Sequence, residues 1–158
     1  MELSPLRLLR PVHLDYPISS TFGIKRKITI KGKTTYRTHW GYDFACPKNS
    51  IIRAMADGYV YKAGWQSYNR KTGKPNPYIG FGLRLWQEVV IQGKELWLFY
   101  GHYNDVWARS NQYLKEGEMT GLSGSTGRSG GPHLHVEARL KGTWKRIPID
   151  FIEKKIEE

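Results

Sequence analysis

The chain has 158 residues, 39% hydrophobic and 25% charged, enough for one domain with a real core; disordered, collagen-like and low-complexity proteins are excluded. Its 25 lysines and arginines against 14 aspartates and glutamates give a formal charge of +11, which favours an anionic partner: nucleic acid, an anionic membrane or an anionic cell wall. The single cysteine, Cys46, rules out an intrachain disulfide, and no apolar run of about 18 residues is present to span a membrane as a helix.

In chain order, the first stretch, Met1 to Pro11, is interrupted by Arg7 and Arg10. A secretory signal needs an unbroken apolar segment of about 7–15 residues, so no signal peptide is expected. The chain is then either a mature fragment or a protein that leaves its cell by another route. Aromatic residues make up 13% of the sequence and glycines number 17, a composition of short strands and turns. Lys27 to Lys31 alternates and runs into Gly32-Lys33, a hairpin-like turn. Ile51 to Ala56 is followed by the turn pair Asp57-Gly58 and then Tyr59 to Ala63. Leu83 to Ile91, the turn Gln92-Gly93-Lys94 and Glu95 to Tyr100 predict another hairpin, and Leu134 to Leu140 a late strand. Gln66 to Pro77 and Gly121 to Pro132 read as loops, the second holding five glycines and three serines. Asp150 to Glu158 predicts one or two helical turns capped by Asp150. The expected fold is mainly β: one domain over residues 1–158, built of antiparallel hairpins, with long loops around a groove and a short C-terminal helix.

Four of the five histidines fall in three short clusters: His39-Trp40-Gly41-Tyr42-Asp43, Tyr100-Gly101-His102-Tyr103 and His133-Leu134-His135. In a strand, positions i, i+2 and i+4 share a face. His133 and His135 therefore project together, as do His39 and Asp43 if the segment between them is extended. Imidazoles and a carboxylate suit zinc, and three protein ligands leave a fourth position for water, the arrangement of a catalytic site. A structural zinc site would favour the cysteines this chain lacks.

Together with Gly124-Ser125-Thr126-Gly127-Arg128-Ser129-Gly130-Gly131-Pro132-His133-Leu134-His135-Val136-Glu137, these motifs resemble the lysostaphin-like zinc endopeptidases of peptidoglycan. The similarity extends from about Thr21-Phe22-Gly23 to Glu137, the motif-bearing core lying at about 21–140. It includes Ala54-Met55-Ala56-Asp57-Gly58-Tyr59-Val60, similar to a hairpin of that family, and Tyr113 to Glu118, similar to the turn before its glycine-rich loop. The sequence departs from the family in carrying Gly130 where threonine is frequent, and in showing neither the common secretion signal nor a wall-targeting module.

The resemblance implies one zinc ion per chain held by His39, Asp43 and His135, with His102 and His133 as the catalytic histidines. A water nucleophile needs a base, and the tetrahedral oxyanion needs stabilisation; which of the two histidines does which stays open. His133 acting only to orient a ligand, and His102 being structural at a strand end, are the alternatives. Trp40, Tyr42, Tyr100 and Tyr103 are candidates for lining the groove, with core packing as their other reading. His13 lies outside the motifs and is read as structural or surface.

The implied function is hydrolysis of peptide cross-links or stem peptides of bacterial peptidoglycan by a monomeric, phage- or prophage-type lysin. Such a lysin is held in the host cytoplasm before lysis or delivered in a virion, and adheres to anionic wall polymers by its charge. A catalytically silent wall-binding member of the same fold is the alternative, distinguished by zinc binding without hydrolysis. Specific nucleic-acid binding is not expected: Lys25-Arg26-Lys27 and Arg70-Lys71 are the only small basic clusters, and no nucleic-acid motif is visible.

Overall fold

The computed structural model describes residues 5–153. Among them every regular element is a strand: β1 Leu6–Leu9, β2 Ile18–Ser20, β3 Lys25–Ile30, β4 Lys33–Thr38, β5 Tyr42–Phe44, β6 Ile51–Arg53, β7 Gly58–Trp65, β8 Leu83–Ile91, β9 Lys94–Val106, β10 Tyr113–Leu114, β11 Met119–Ser123, β12 Leu134–Leu140, β13 Arg146–Ile147 and β14 Ile149–Ile152. No helix of the described residues is long and apolar enough to cross a membrane. The main sheet has ten strands, with the path β10-β7-β8-β9-β12-β5-β2; β11 joins it through β9 and carries β6, and β13 pairs with β12.

Two predicted hairpins form as expected. The turns between β3 and β4 and between β8 and β9 place Lys31-Gly32 and Gln92-Gly93 at positive φ (50° and 75°, 51° and 76°), the conformation of a tight two-residue turn that matches strand twist. The predicted strand Leu134 to Leu140 is β12. The all-strand architecture is the expected one, with three differences. The segment after Asp57-Gly58 is not the return arm of a hairpin with β6: β7 pairs with β8 and β10, while β6 pairs with β11. Gly58 packs so tightly on β8 that a Cβ there would meet the Glu88 carbonyl oxygen at 2.1 Å. The glycine-rich loop starts later than predicted, because Gly121 to Ser123 belong to β11.

The third difference is the short C-terminal helix, which is not seen. Ile149–Ile152 instead forms a strand parallel to β1, Leu6 opposite Ile149 and Leu9 opposite Ile152, so Asp150 caps nothing. The alternation of Ile149 and Phe151 lets this segment cover the core edge, where Phe151 packs edge-on against Tyr42 and Phe44 at 5.1 Å. Residues 154–158 of the predicted helix lie outside the described residues.

Period-2 alternation divides the central strands between core and cleft. On β12, Leu134, Val136 and Ala138 are buried in the core, while His135 and Glu137 face the other way. On β9, Leu96, Leu98 and Tyr100 are in the core. The Tyr100 hydroxyl is buried there, donating to Gln87 Oε1 at 2.7 Å and accepting from the Met55 amide at 2.8 Å. Tyr42 and Tyr103 are buried too, and Trp40 packs on Phe22 at 5.3 Å. None of the four aromatic candidates is among the residues lining the cleft described below. Leu83 pairs with Tyr103 but Leu85 with Tyr100, so β9 carries one extra residue there. This bulge re-aims the chain at Gly101-His102.

Candidate functional site

The sheet face opposite the core opens into a cleft of about 580 Å³, walled by Gln66, Gly80, Phe81 and the segment Arg128–His133 and floored by β5, β9 and β12. It contains all five residues singled out from sequence: His39, Asp43, His102, His133 and His135. His13 lies away from it, exposed beside Asp15.

The sheet register builds the centre. β12 pairs His135 with Asp43 of β5 on one side and with Gly101 of β9 on the other. His39 arrives from the end of the β3–β4 hairpin, clamped by reciprocal backbone bonds: Gly23 N–H donates to the His39 carbonyl and His39 N–H to that of Ile24, each at 2.7 Å. Asp43 Oδ1 then lies 2.7 Å from His135 Nδ1 and 3.4 Å from His39 Nε2, and these two ring nitrogens are 3.2 Å apart. Gly41 makes this approach possible, since a Cβ there would meet His135 Cε1 at 2.6 Å and the Val136 carbonyl at 2.6 Å.

Each of the three side chains is held from behind. His39 Nδ1 lies 3.0 Å from Ser20 Oγ and 3.3 Å from the Thr21 carbonyl, which only accepts and so assigns the proton to Nδ1. Arg26 donates to Asp43 Oδ2 at 2.6 Å. His135 Nε2 donates to Glu137 Oε1 at 2.9 Å, and the other Glu137 oxygen accepts from Arg139 at 2.7 Å. Burial would raise the pKa of Asp43, but hydrogen bonds from His135, His39 and Arg26 outweigh it and hold the carboxyl well below the usual range. Glu137 follows the same balance and is held at about 2 by His135 and Arg139. Burial would lower His135, yet the flanking carboxylates of Asp43 and Glu137 raise it.

The donor set fits a metal ion. Asp43 Oδ1, His39 Nε2 and His135 Nδ1 are electron-rich atoms aimed at one another, with their outer partners committed elsewhere. A single proton satisfies only one pair of them, whereas one divalent cation satisfies all three. A tetrahedral zinc ion bonded at about 2.0–2.1 Å has ligand-to-ligand edges of about 3.3 Å, close to the spacing seen here, and outer partners of this kind orient metal ligands.

His102 and His133 stand beside this group with ring centroids 4.6 Å apart. His102 is in the left-handed region at φ 68°, an unusual conformation for a residue with a side chain, fixed by its amide bond to the Phe81 carbonyl at 2.8 Å. Its Nδ1 donates to the Thr126 carbonyl at 2.6 Å, leaving Nε2 for the cleft. Burial, reinforced by neighbouring His133, pulls its pKa down to about 4, so it is neutral at neutral pH. His133 Nδ1 donates to the Gly131 carbonyl at 2.8 Å, and its Nε2 lies 3.8 Å from Asp43 Oδ1. Phe81 stacks on His135 at 5.5 Å and occupies the room left by Gly101, where a Cβ would meet its ring at 2.8 Å.

Sequence reasoning assigned no role to Glu137, Arg26, Ser20 or Phe81. Glu137 was signalled by its place two residues after His135, on the same strand face. The other three come from segments whose approach to the site is set by tertiary structure.

Residues 37–147 match the sequence profile of Peptidase family M23. The chain is 34% identical over 125 residues to the DD-carboxypeptidase/endopeptidase Mpg of Neisseria meningitidis, covering 79% of this chain and 25% of that protein. It is 32% identical over 133 residues to the peptidoglycan DD-endopeptidase ShyA of Vibrio cholerae, covering 84% and 27%. The chain thus spans about a quarter of the length of these curated relatives. Among solved structures, a zinc-containing peptidase from Vibrio cholerae superposes with a TM-score of 0.68 at 28% identity, covering 93% of this chain and 41% of that one. The catalytic domain of lysostaphin from Staphylococcus simulans superposes at 0.61 with 26% identity, covering 81% and 83%. With its motifs in family order and its strands in the lysostaphin arrangement, the chain belongs to peptidase family M23.

Proposed function

We propose that the chain is a zinc-dependent endopeptidase that hydrolyses peptide cross-links or stem peptides of bacterial peptidoglycan. The observation that carries this reading is the convergence of Asp43 Oδ1, His39 Nε2 and His135 Nδ1 in a cleft that also receives His102 and His133. The activities in the names of Mpg and ShyA support the substrate class.

His39, Asp43 and His135 would hold a zinc ion, which would supply Lewis acidity toward a scissile carbonyl and a water molecule. The chain's own residues do the rest. His102 and His133, each with Nδ1 tied to a backbone carbonyl, present Nε2 to the cleft. In that tautomer they accept the proton of the attacking water, hydrogen-bond the developing oxyanion once protonated, and return the proton to the leaving amine. The open cleft admits an extended peptide, and Phe81 keeps the His135 ring from turning.

The net charge of +11 supports adhesion to an anionic wall, and with it the finer reading of a monomeric phage- or prophage-type lysin acting on the wall from the host cytoplasm or a virion. The test is mass spectrometry of peptidoglycans of several cross-link types after incubation with the protein. New peptide termini that vanish on chelation and return with zinc are expected, and their chemistry names the bond. Intact muropeptides in every wall type, with zinc bound, would overturn the reading in favour of a catalytically silent wall-binding domain. Lysis of cells only when the protein is co-expressed with a membrane-permeabilising partner, or only from outside, separates the delivery routes.

A further inference from the structure

The basic residues that look scattered in the sequence are gathered by the fold. The β3–β4 hairpin carries Lys25, Arg26, Lys27, Lys33 and Arg37 on two strands that are almost wholly exposed and Lys31 in the turn between them, and residues 25–38 contain no aspartate or glutamate. The hairpin forms its own two-stranded sheet, unpaired with the main one. Its register sets Arg26 directly across from Arg37. Like charges in directly opposed positions destabilise a strand pair. Arg26 is compensated by Asp43, but Lys25, Lys27, Lys31, Lys33 and Arg37 have no ion-pair partner among the described residues. By contrast, the cations around β12 are matched, Arg139 and Arg146 by Glu137 and Lys141 by Glu88. The hairpin is thus a concentrated positive surface without internal countercharge, and its last residue, Thr38, leads directly into His39 at the cleft.

We infer that this hairpin is a docking arm for a phosphodiester-bearing polyanion attached to the bacterial wall, holding the cleft against the peptides of the same wall. Same-face residues along a strand lie about 6.6–7 Å apart, so the arm is a close-spaced lattice of charges. It matches a polymer with an anionic group every few ångströms better than the sparser free carboxylates of stem peptides. Lysines dominate, and their compact ammonium groups meet phosphates as point charges without demanding one geometry. That tolerance suits an irregular polymer. The inference rests on the proposed wall peptidase function for its choice of a wall polymer over nucleic acid.

The experiment uses the whole chain and three probes: insoluble walls bearing their phosphodiester polymer, the same walls with that polymer removed by acid hydrolysis, and random-sequence duplex DNA. Co-sedimentation reads binding to the walls, and fluorescence anisotropy reads binding to DNA. Binding to intact walls is expected to exceed that to stripped walls at least about tenfold, and to fall about a hundredfold from about 50 to about 200 mM salt. The variant K25Q/K27Q/K31Q/K33Q/R37Q, which spares Arg26 and its hold on Asp43, is expected to lose the polymer-dependent part. A variant of equal net charge with its five changes dispersed, K62Q/R70Q/K94Q/K115Q/K145Q, is expected to keep most of it. Equal binding to intact and stripped walls overturns the proposal, as does equal loss in the two variants, which would reduce the effect to net charge. Hairpin-dependent binding to DNA as tight as to walls overturns the choice of partner. Cleavage of a soluble cross-linked muropeptide by the unmodified chain is measured separately, so failure of the peptidase reading is distinguished from failure of the docking arm.

Discussion

Arg26 and Asp43 meet at 2.6 Å, guanidinium Nη2 to carboxylate Oδ2, while Asp43 Oδ1 is turned to His135. The two carboxylate oxygens thereby have separate duties, one facing the His39 and His135 ring nitrogens and the other tied to the hairpin. Arg26→Gln is expected to release this tether and weaken zinc affinity about tenfold to a hundredfold. Competition with a zinc-chelating dye measures it; unchanged affinity would show that His135 alone is enough to orient Asp43.

Substitution separates the proposed ligand histidines from the proposed catalytic ones. His135→Ala is expected to abolish zinc retention and hydrolysis together, because His39 and Asp43 are left as a pair. His102→Ala is expected to retain zinc and lose activity by about 100-fold or more. Metal content by mass spectrometry beside muropeptide hydrolysis reads both, and full metal content in His135→Ala would remove that residue from the ligand set.

Glu137 supports His135 from behind, so Glu137→Gln keeps the shape but withdraws the charge that raises the His135 pKa. Zinc affinity is expected to fall about tenfold or more. Arg139 also loses a charged partner, so thermal unfolding is followed alongside to separate metal loss from destabilisation.

His102 gives the metal-free protein a defined acid sensitivity. Its folded pKa of about 4 lies below the ordinary value of 6.5. Between these two values the unfolded chain binds the proton and the folded one does not, so stability rises with pH across that window. The span amounts to about 3 kcal/mol. Urea unfolding at stepped pH is expected to show this slope in the wild type and a shallower one in His102→Asn; parallel curves would place the sensitivity elsewhere.

Gly41→Ala drives a methyl group against the His135 ring and the Val136 carbonyl, both at 2.6 Å. The backbone neighbour cannot yield, so β5 and β12 must separate. A loss of about 1–3 kcal/mol in stability is expected, with a larger proportional loss of zinc affinity, measurable by unfolding with and without added zinc.

Much of this arrangement was legible in the sequence because it obeys two short rules. Alternation put His133 and His135 on one face, and turn chemistry placed Lys31-Gly32 and Gln92-Gly93 between strands. The family motifs then joined the clusters. What was not legible depended on distant partners. Strict alternation sets His102 on the same side as Tyr100, facing the core; only the bulge at Gly101-His102 turns it to the cleft. Asp150 to Ile152 carries an acceptable helix start, but a free edge at β1 offers backbone bonds that short helical turns do not match. The positions of Arg26 and Phe81 were hidden for a similar reason, since each reaches the site across a fold boundary that no local pattern encodes.

The alternation of β12 ties chemistry to assembly. If that strand paired one residue out of step, Leu134 and Val136 would point into open water and three polar side chains, His133, His135 and Glu137, would be forced into the hydrophobic interior. The three-atom cage exists in one alignment only. A cation bound there would reward the correct pairing and no other, and refolding with zinc is expected to raise the yield of correctly aligned molecules over refolding without it.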